Sequence, residues 1–116
     1  MEISNLFKEI IKNTFYDKKI DIYGTTEEIG EELDAIMVKG KLKEKDLLCN
    51  VHFIGNDVAK KDYGLDIEAS IMVTCDKTVA QISDIITYLN QDYTITGILP
   101  LDSHTKIFAK LGGISG

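Results

Sequence analysis

Several residue types are absent or scarce in this chain of 116 residues: it has no arginine, no tryptophan, one proline and two cysteines. All 13 basic residues are lysines, and 19 acidic residues outnumber them, which gives a formal net charge of −6. This charge opposes binding to the phosphate backbone of nucleic acids. We therefore expect no direct nucleic-acid partner, and a basic protein is the better match for an acidic chain.

Familiar catalytic and cofactor motifs are absent as well. The chain has no Gly-rich phosphate loop, no paired CxxC, no HExxH and no GxSxG motif, so we expect no cofactor and no metal. It does not open on a basic segment followed by an apolar one, and it has no run of about 18 apolar residues. These absences favour a cytoplasmic protein without a membrane partner.

The length of the chain suits a single domain with one core. We expect that domain to span residues 1–116, with a flexible tail over 112–116. Cys49 and Cys75 both fall on the apolar side of a predicted strand, where cysteine behaves as a small apolar residue. We therefore expect both thiols to be buried structural side chains.

Residues 64–76 have the clearest strand pattern in the chain, because apolar and mostly polar residues alternate along the whole stretch. The apolar side consists of Leu65, Ile67, Ala69, Ile71, Val73 and Cys75. A period of two is typical of a half-buried antiparallel strand. The stretch therefore predicts a sheet with one face against the core.

Residues 34–54 predict two more strands that precede this one. Residues 43–46 between them have the form of a four-residue hairpin loop. Such a loop pairs Leu42 with Leu47 and brings the apolar residues of the two strands opposite one another, a match that a slip of one residue would destroy. With the following strand, the pattern predicts a three-stranded antiparallel meander.

The opposite face of this meander is mixed in character. If Phe53 lies opposite Leu65, that face carries apolar and charged residues together: Met37, Leu48, His52, Asp66, Glu68 and Met72. Either another part of the chain covers this face, or it is an exposed contact surface, since contiguous exposed apolar patches tend to mark interaction sites. Both interpretations stay open at this point.

Two segments have the three-and-four spacing of apolar residues that is typical of amphipathic helices. The first covers about residues 4–16, and the second covers about residues 78–90 and begins with the capping-box pattern at Thr78. Two final strands follow the second helix. The sequence thus predicts an α+β fold, a mainly antiparallel β-sheet of five to six strands with the N-terminal helix and the second helix packed on one face.

Residues 20–23 alternate briefly as a short strand before the meander. The resulting order of elements, a helix, a short strand, a meander, a helix and two strands, is similar to that of small acidic secretion chaperones and bacteriophage tail-terminator proteins. The resemblance implies a structural or chaperone-like subunit that assembles with itself. Such a subunit would form a homodimer or a larger homo-oligomer through the exposed face or an edge of its sheet.

The densest charge lies in residues 25–34. One interpretation is a solvated connecting segment, as charge blocks commonly are, and the other is a surface that engages a basic site. The second favours a small non-enzymatic protein-binding module, such as an inhibitor, an immunity-type protein or an anti-defence factor of a phage or mobile element. Its predicted binding residues are Glu27, Glu28, Glu31, Glu32, Met37, Leu48, His52, Asp66, Glu68 and Met72.

A hydrolytic enzyme is the third hypothesis, in which His52 or His104 acts as acid or base beside Asp66 or Asp102. Asp102, Ser103 and His104 are adjacent in the sequence, and adjacency alone does not form a catalytic triad. Residues that face each other on an exposed sheet also pair their charges routinely. The enzyme hypothesis therefore has the least support in the sequence.

Overall fold

The computed structural model describes residues 16–29, 35–55 and 58–112. In these ranges it contains six strands and one short helix: β1 (Lys18–Ile29), β2 (Ala35–Phe53), α1 (Val58–Tyr63), β3 (Ile71–Cys75), β4 (Ile85–Tyr88), β5 (Gln91–Pro100) and β6 (Thr105–Leu111). No helix within these ranges has the length and apolarity needed to cross a membrane.

The six strands form a closed antiparallel barrel in the order β1-β2-β3-β6-β5-β4, with β4 returning to β1. Closure gives the backbone groups of each barrel segment a strand on both sides, so this part of the sheet has no open edge. The interior is filled by alternate side chains of the strands. Its buried residues include Ile20, Ile22, Cys49, Ile71, Val73, Cys75, Ile86, Ile95, Ile107 and Ala109.

A second apolar cluster lies on the outside of the barrel wall. The segment that follows α1 crosses the outer face of β3 and β6, where Ala69 and Phe108 are completely buried. The ring of Tyr63 packs edge-on against Phe108 with 5.3 Å between the ring centroids. At Gly97 the approach is so close that an added Cβ would lie 2.6 Å from Cδ1 of Ile67. Residues 64–70, called the covering segment below, therefore pack closely against the outside of the barrel and form a second core with it.

Strand β2 is continuous through residues 43–46, so the predicted hairpin loop at this position is wrong. The pairing of β1 with β2 shifts register three times, between Ile20 and Thr25 of β1. At each shift β2 contains one more residue than β1, which is the arrangement of a β-bulge. Bulges bend a strand and increase its twist. They allow β2 to turn along its length, where the sequence pattern predicts a chain reversal.

The outer parts of β1 and β2 project beyond the barrel as a two-stranded arm, defined here as residues 25–29 and 35–41. Strand β4 pairs with β1 only over residues 21–23, and β3 pairs with β2 only over residues 49–53. Beyond these segments the two strands pair only with each other among the described residues. At a rise of about 3.3 Å per residue, five paired residues extend about 16 Å.

The predicted helix over residues 78–90 is also wrong. This segment contains a loop, strand β4 and a turn in which Leu89 and Asn90 have positive φ angles. Its apolar residues separate into buried Ile85 and Ile86 and exposed Val79, so they do not form one buried stripe. The other predicted helix covers about residues 4–16, of which only Tyr16 is described. Residues 1–15 lie outside the described ranges.

The predicted α+β layer arrangement is accordingly corrected to an antiparallel barrel. The similarity in element order to secretion chaperones and tail terminators depended on a helix over 78–90, so the structure removes its basis. The expected pairing of Phe53 with Leu65 is wrong as well, because Phe53 lies opposite Ile71. This shift of six residues is even, so it preserves which side chains of β3 point inward.

Candidate protein-binding site

The arm carries part of the predicted acidic surface. Glu27 and Glu28 lie on β1 with exposed side chains, and Glu27 is directly opposite Met37 of β2. The side chain of Met37 is 41% exposed. Glu31 and Glu32 lie outside the described residues. Of the ten predicted binding residues, the structure therefore brings Glu27, Glu28 and Met37 together on the arm.

The other predicted residues lie on the barrel. Leu48 pairs with Lys19 of β1, and His52 is opposite Met72. Met72 is half-buried in the outer apolar cluster, beside Ala69 and Phe108. Its surroundings are those of a packed side chain, because the segment after α1 covers this part of the face.

Asp66 and Glu68 belong to that covering segment. Both are exposed, and neither is in strand register with His52. The carboxylate of Glu68 lies 3.9 Å from Nζ of Lys110, a separation at which an exposed ion pair contributes little. The mixed outer face predicted around His52 is thus corrected: its apolar residue Met72 packs in the outer apolar cluster, and its acids Asp66 and Glu68 lie on a separate segment.

Sequence reasoning missed several residues of the arm. Ile29 is 74% exposed near its outer end and Leu42 is 45% exposed near its base. Lys39 and Lys41 lie on β2 between them, both with exposed side chains. The sequence carries a signal only for the lysines, because residues 35–43 contain three lysines and no acidic residue.

Lys39 holds the base of the arm against the barrel. Its Nζ donates to Oγ1 of Thr87 at 2.9 Å and to Oδ1 of Asp92 at 3.1 Å, and it lies 4.1 Å from the ring centroid of Tyr23. Burial acts to raise the pKa of Asp92, but hydrogen bonds from Thr87 and Lys39 outweigh it, so the pKa is lower than usual. The positive charge of Lys39 is therefore balanced within the chain.

A second set of contacts ties the arm base to the loop between β3 and β4. Nζ of Lys43 lies 2.6 Å from Oδ2 of the buried Asp84, which also accepts a hydrogen bond from the backbone N–H of Gln81 at 2.8 Å. The carboxylate of Glu44 accepts hydrogen bonds from the hydroxyl of Thr78 and from the backbone N–H of Val79. These contacts orient the arm relative to the barrel.

Large exposed apolar side chains concentrate at the two ends of the barrel. Those at the arm end are Ile29, Met37, Leu42, Val79, Ile82 and Leu101, and those at the other end are Phe53, Leu89 and Leu111. Leu42 lies on β2 next to the arm, and the others lie in the arm, in connecting loops and turns, or at strand ends. Since exposed apolar groups mark interaction sites when they cluster, the ends are the best candidates for contact surfaces.

The residues of the enzyme hypothesis do not assemble into a complete catalytic set. Oγ of Ser103 lies 2.8 Å from Nδ1 of His104 in an open depression. Within the described residues, no carboxylate is hydrogen-bonded to His104, so the orienting acid of a triad is missing. In the same ranges, no group of three or more His, Cys, Asp or Glu side chains could hold a metal ion.

Cys49 and Cys75 are opposite each other on β2 and β3, and both are buried. This confirms the prediction of structural cysteines. Burial raises the pKa of each thiol to about 12, so the reactive thiolate is scarce at neutral pH. Neither cysteine has the accessible, low-pKa environment of a nucleophile.

Fold and site together define a class of small antiparallel barrel with a projecting two-stranded arm. The arm is held by side-chain contacts at its base, and its strands have no further strand neighbour among the described residues. Among known proteins, no family model matches the chain, and a search of curated proteins finds no matching sequence.

Proposed function

We propose that this protein is a small non-enzymatic binding module that engages a basic region of a partner protein through its arm. Such a module would act as an inhibitor, an immunity-type protein or an anti-defence factor by occupying a basic site. The observation that supports this proposal most directly is the exposure of Glu27 and Glu28 on a strand whose outer edge has no neighbour among the described residues.

An open strand edge presents unpaired backbone N–H and C=O groups to any extended segment that approaches it. Binding by strand addition uses these groups for affinity, and the alternating side chains provide specificity. On β1 those side chains include Glu27 and Glu28, which favour lysine or arginine on the partner. Electrostatic attraction of this kind speeds association and weakens as salt screens the charges.

The proposal is tested by replacing Glu27 and Glu28 together with glutamine. Proteins retained from the native host by the wild-type chain would first be identified, and the affinity of the purified partner would then be measured at two salt concentrations. We expect the variant to bind at least about tenfold more weakly and to lose most of the salt dependence.

The matched control replaces Asp62 and Asp102 with asparagine, because these exposed carboxylates lie on α1 and on the turn after β5, outside the predicted binding residues, and the charge change is the same. We expect this control to bind as the wild type does. Equal binding by the arm variant and the wild type at both salt concentrations would rule out the acidic arm as the binding element.

A second candidate function is a self-assembling structural or chaperone-like subunit. The observation that favours it is the position of exposed apolar side chains at both ends of the barrel, for example Met37 at one end and Phe53 at the other. Light scattering over a range of concentrations tests this function. A strict monomer at the highest concentration would argue against it.

A further inference from the structure

The two outer edges of the arm carry charges of opposite sign. On β1, residues 25–29 include Glu27 and Glu28 and no lysine. On β2, residues 35–41 include Lys39 and Lys41 and no acidic residue. Lys39 is already paired with Asp92 of the barrel, whereas Lys41 is exposed and has no ion-pair partner among the described residues. The β1 edge is therefore acidic and the β2 edge basic.

Both edges also lack a neighbouring strand in the described part of the chain. The outer edge of β1 is paired by β4 only as far as Tyr23, and the outer edge of β2 is paired by β3 only from Cys49 onward. The arm thus presents two strand edges that differ in charge and that can each accept another strand. A second copy of the chain offers the complement of each edge.

We propose that arms of different copies pair edge to edge, with the acidic β1 edge of one copy against the basic β2 edge of the next. This inference rests on the proposed binding function of the arm, and it assigns the basic partner region to another copy of the chain. Because β1 and β2 run in opposite directions within one arm, arms that lie side by side and point the same way form a continuous antiparallel sheet.

Charge also selects this arrangement over a two-fold dimer. Pairing β1 with β1 would place Glu27 and Glu28 of one copy beside the same residues of the other. Pairing β2 with β2 would place Lys41 of one copy near Lys41 of the other. Like charges on facing strands are destabilising. Pairing of unlike edges leaves one edge of each kind free, so it continues into a ring or an open chain instead of stopping at two copies.

The test uses two variants that reverse the charge of one edge each. Variant A carries Glu27→Lys and Glu28→Lys, and variant B carries Lys41→Glu. All three side chains are exposed, so both variants should fold as the wild type does, which thermal unfolding can check. Sedimentation velocity of each variant, and of an equal mixture, measures the state of association.

We expect the wild type to form species larger than a dimer. Each variant alone should associate at least about tenfold more weakly, because the two edges that pair then carry net charge of the same sign. The mixture should recover association, because each edge of variant A then meets an edge of opposite charge on variant B. A variant with Asp62→Lys and Asp102→Lys, two exposed residues outside the arm and outside the predicted binding residues, should associate as the wild type does.

A wild type that stays monomeric, an assembly that stops at the dimer, or a mixture that does not recover would each overturn the inference. These results are separate from a failure of the proposed binding function. The wild type could stay monomeric while replacement of Glu27 and Glu28 with glutamine still weakens binding to a basic host protein. In that case the arm is a binding element whose partner is a different protein.

Discussion

The barrel and the arm are built from the same two strands, yet their side chains have opposite environments. In the barrel part of β1, Ile20 and Ile22 are buried. In the arm, Ile29 of the same strand and Met37 of β2 are exposed. The difference arises because neighbouring strands and their side chains surround the first part, whereas in the described ranges no further strand pairs with the second. Burial is thus a property of what surrounds a strand, and four predictions examine this contrast.

The largest effect is expected from truncation of a barrel side chain. Ile71 is completely buried in the core, so Ile71→Ala should lower the free energy of unfolding by about 2–5 kcal/mol, through lost apolar contact and the cavity left behind. Met37→Ala on the arm should change it by no more than about 0.5 kcal/mol. Urea unfolding of both variants measures this difference. Comparable losses would mean that the arm is packed as tightly as the barrel.

The next effect concerns the junction between the two regions. Lys43→Met leaves the buried carboxylate of Asp84 without its cation. We expect a loss of about 2 kcal/mol, less than for a fully buried pair because Lys43 keeps partial solvent exposure. Lys41→Met, two residues away on the exposed arm, should cost almost nothing. The midpoints of chemical unfolding report both values, and equal midpoints for the two variants would contradict the anchoring role of Lys43.

A smaller effect is expected where the covering segment meets the barrel wall. Gly97→Ala places a methyl group against Cδ1 of Ile67 and should cost about 1 kcal/mol, since the end of one side chain must move. Ile67→Val removes that carbon atom, so adding it to Gly97→Ala should cost less than the sum of the single changes. A double-mutant cycle followed by thermal unfolding measures the coupling energy between the two changes. Simple additivity would indicate that the two residues are not in contact.

The smallest effect is a pH dependence at the bulge near the arm base. The backbone N–H of Asp46 donates to Oδ1 of Asp21 at 2.9 Å, and this bond, with Lys45 nearby, lowers the pKa of Asp21. Because its pKa is lowered in the folded state, Asp21 stabilises the protein above the ordinary aspartate range near pH 4. This stabilisation is lost as the pH falls through the folded-state pKa.

Asp21→Asn keeps an oxygen that can accept this hydrogen bond but removes the charge. It should lower the free energy of unfolding at pH 7 by less than about 1 kcal/mol, and the difference from the wild type should vanish at low pH. Unfolding measured between pH 7 and pH 2 tests this. Glu27→Gln on the arm is the control and should show no such convergence. A constant difference across that range would contradict the assignment.

Part of the fold could be predicted from local patterns. The inward alternation of Ile71, Val73 and Cys75 was predicted and is present, because it is a property of one short strand. Leu65 and Ile67 continue the same alternation, yet they belong to a segment that packs on the outside of the barrel. An extended segment with alternating apolar residues can satisfy either arrangement, so the sequence pattern did not separate them.

The candidate site was predictable only in part for a similar reason. The exposed acids Glu27 and Glu28 stand out from charge alone, whereas Lys41 and Ile29 gain their importance from lying on the arm, whose outer edges have no strand neighbour in the part of the chain that the structure describes. The hairpin predicted at residues 43–46 failed because polar residues such as Lys43 and Asp46 are typical both of loops and of bulged strands. Asp46 has a φ angle of 52°, which belongs here to a bulge.

The sequence by itself determined the acidic balance of this protein, its antiparallel strands and the burial of its two cysteines, because these follow from composition and from a period of two along single strands. Only the tertiary structure decided that the sheet closes into a barrel, that β2 bends without reversing and that the arm strands pair only with each other among the described residues. These features depend on hydrogen bonds between segments far apart in the chain, such as the pairing of Asp21 with Thr87. Local periodicity does not specify which distant strands will meet.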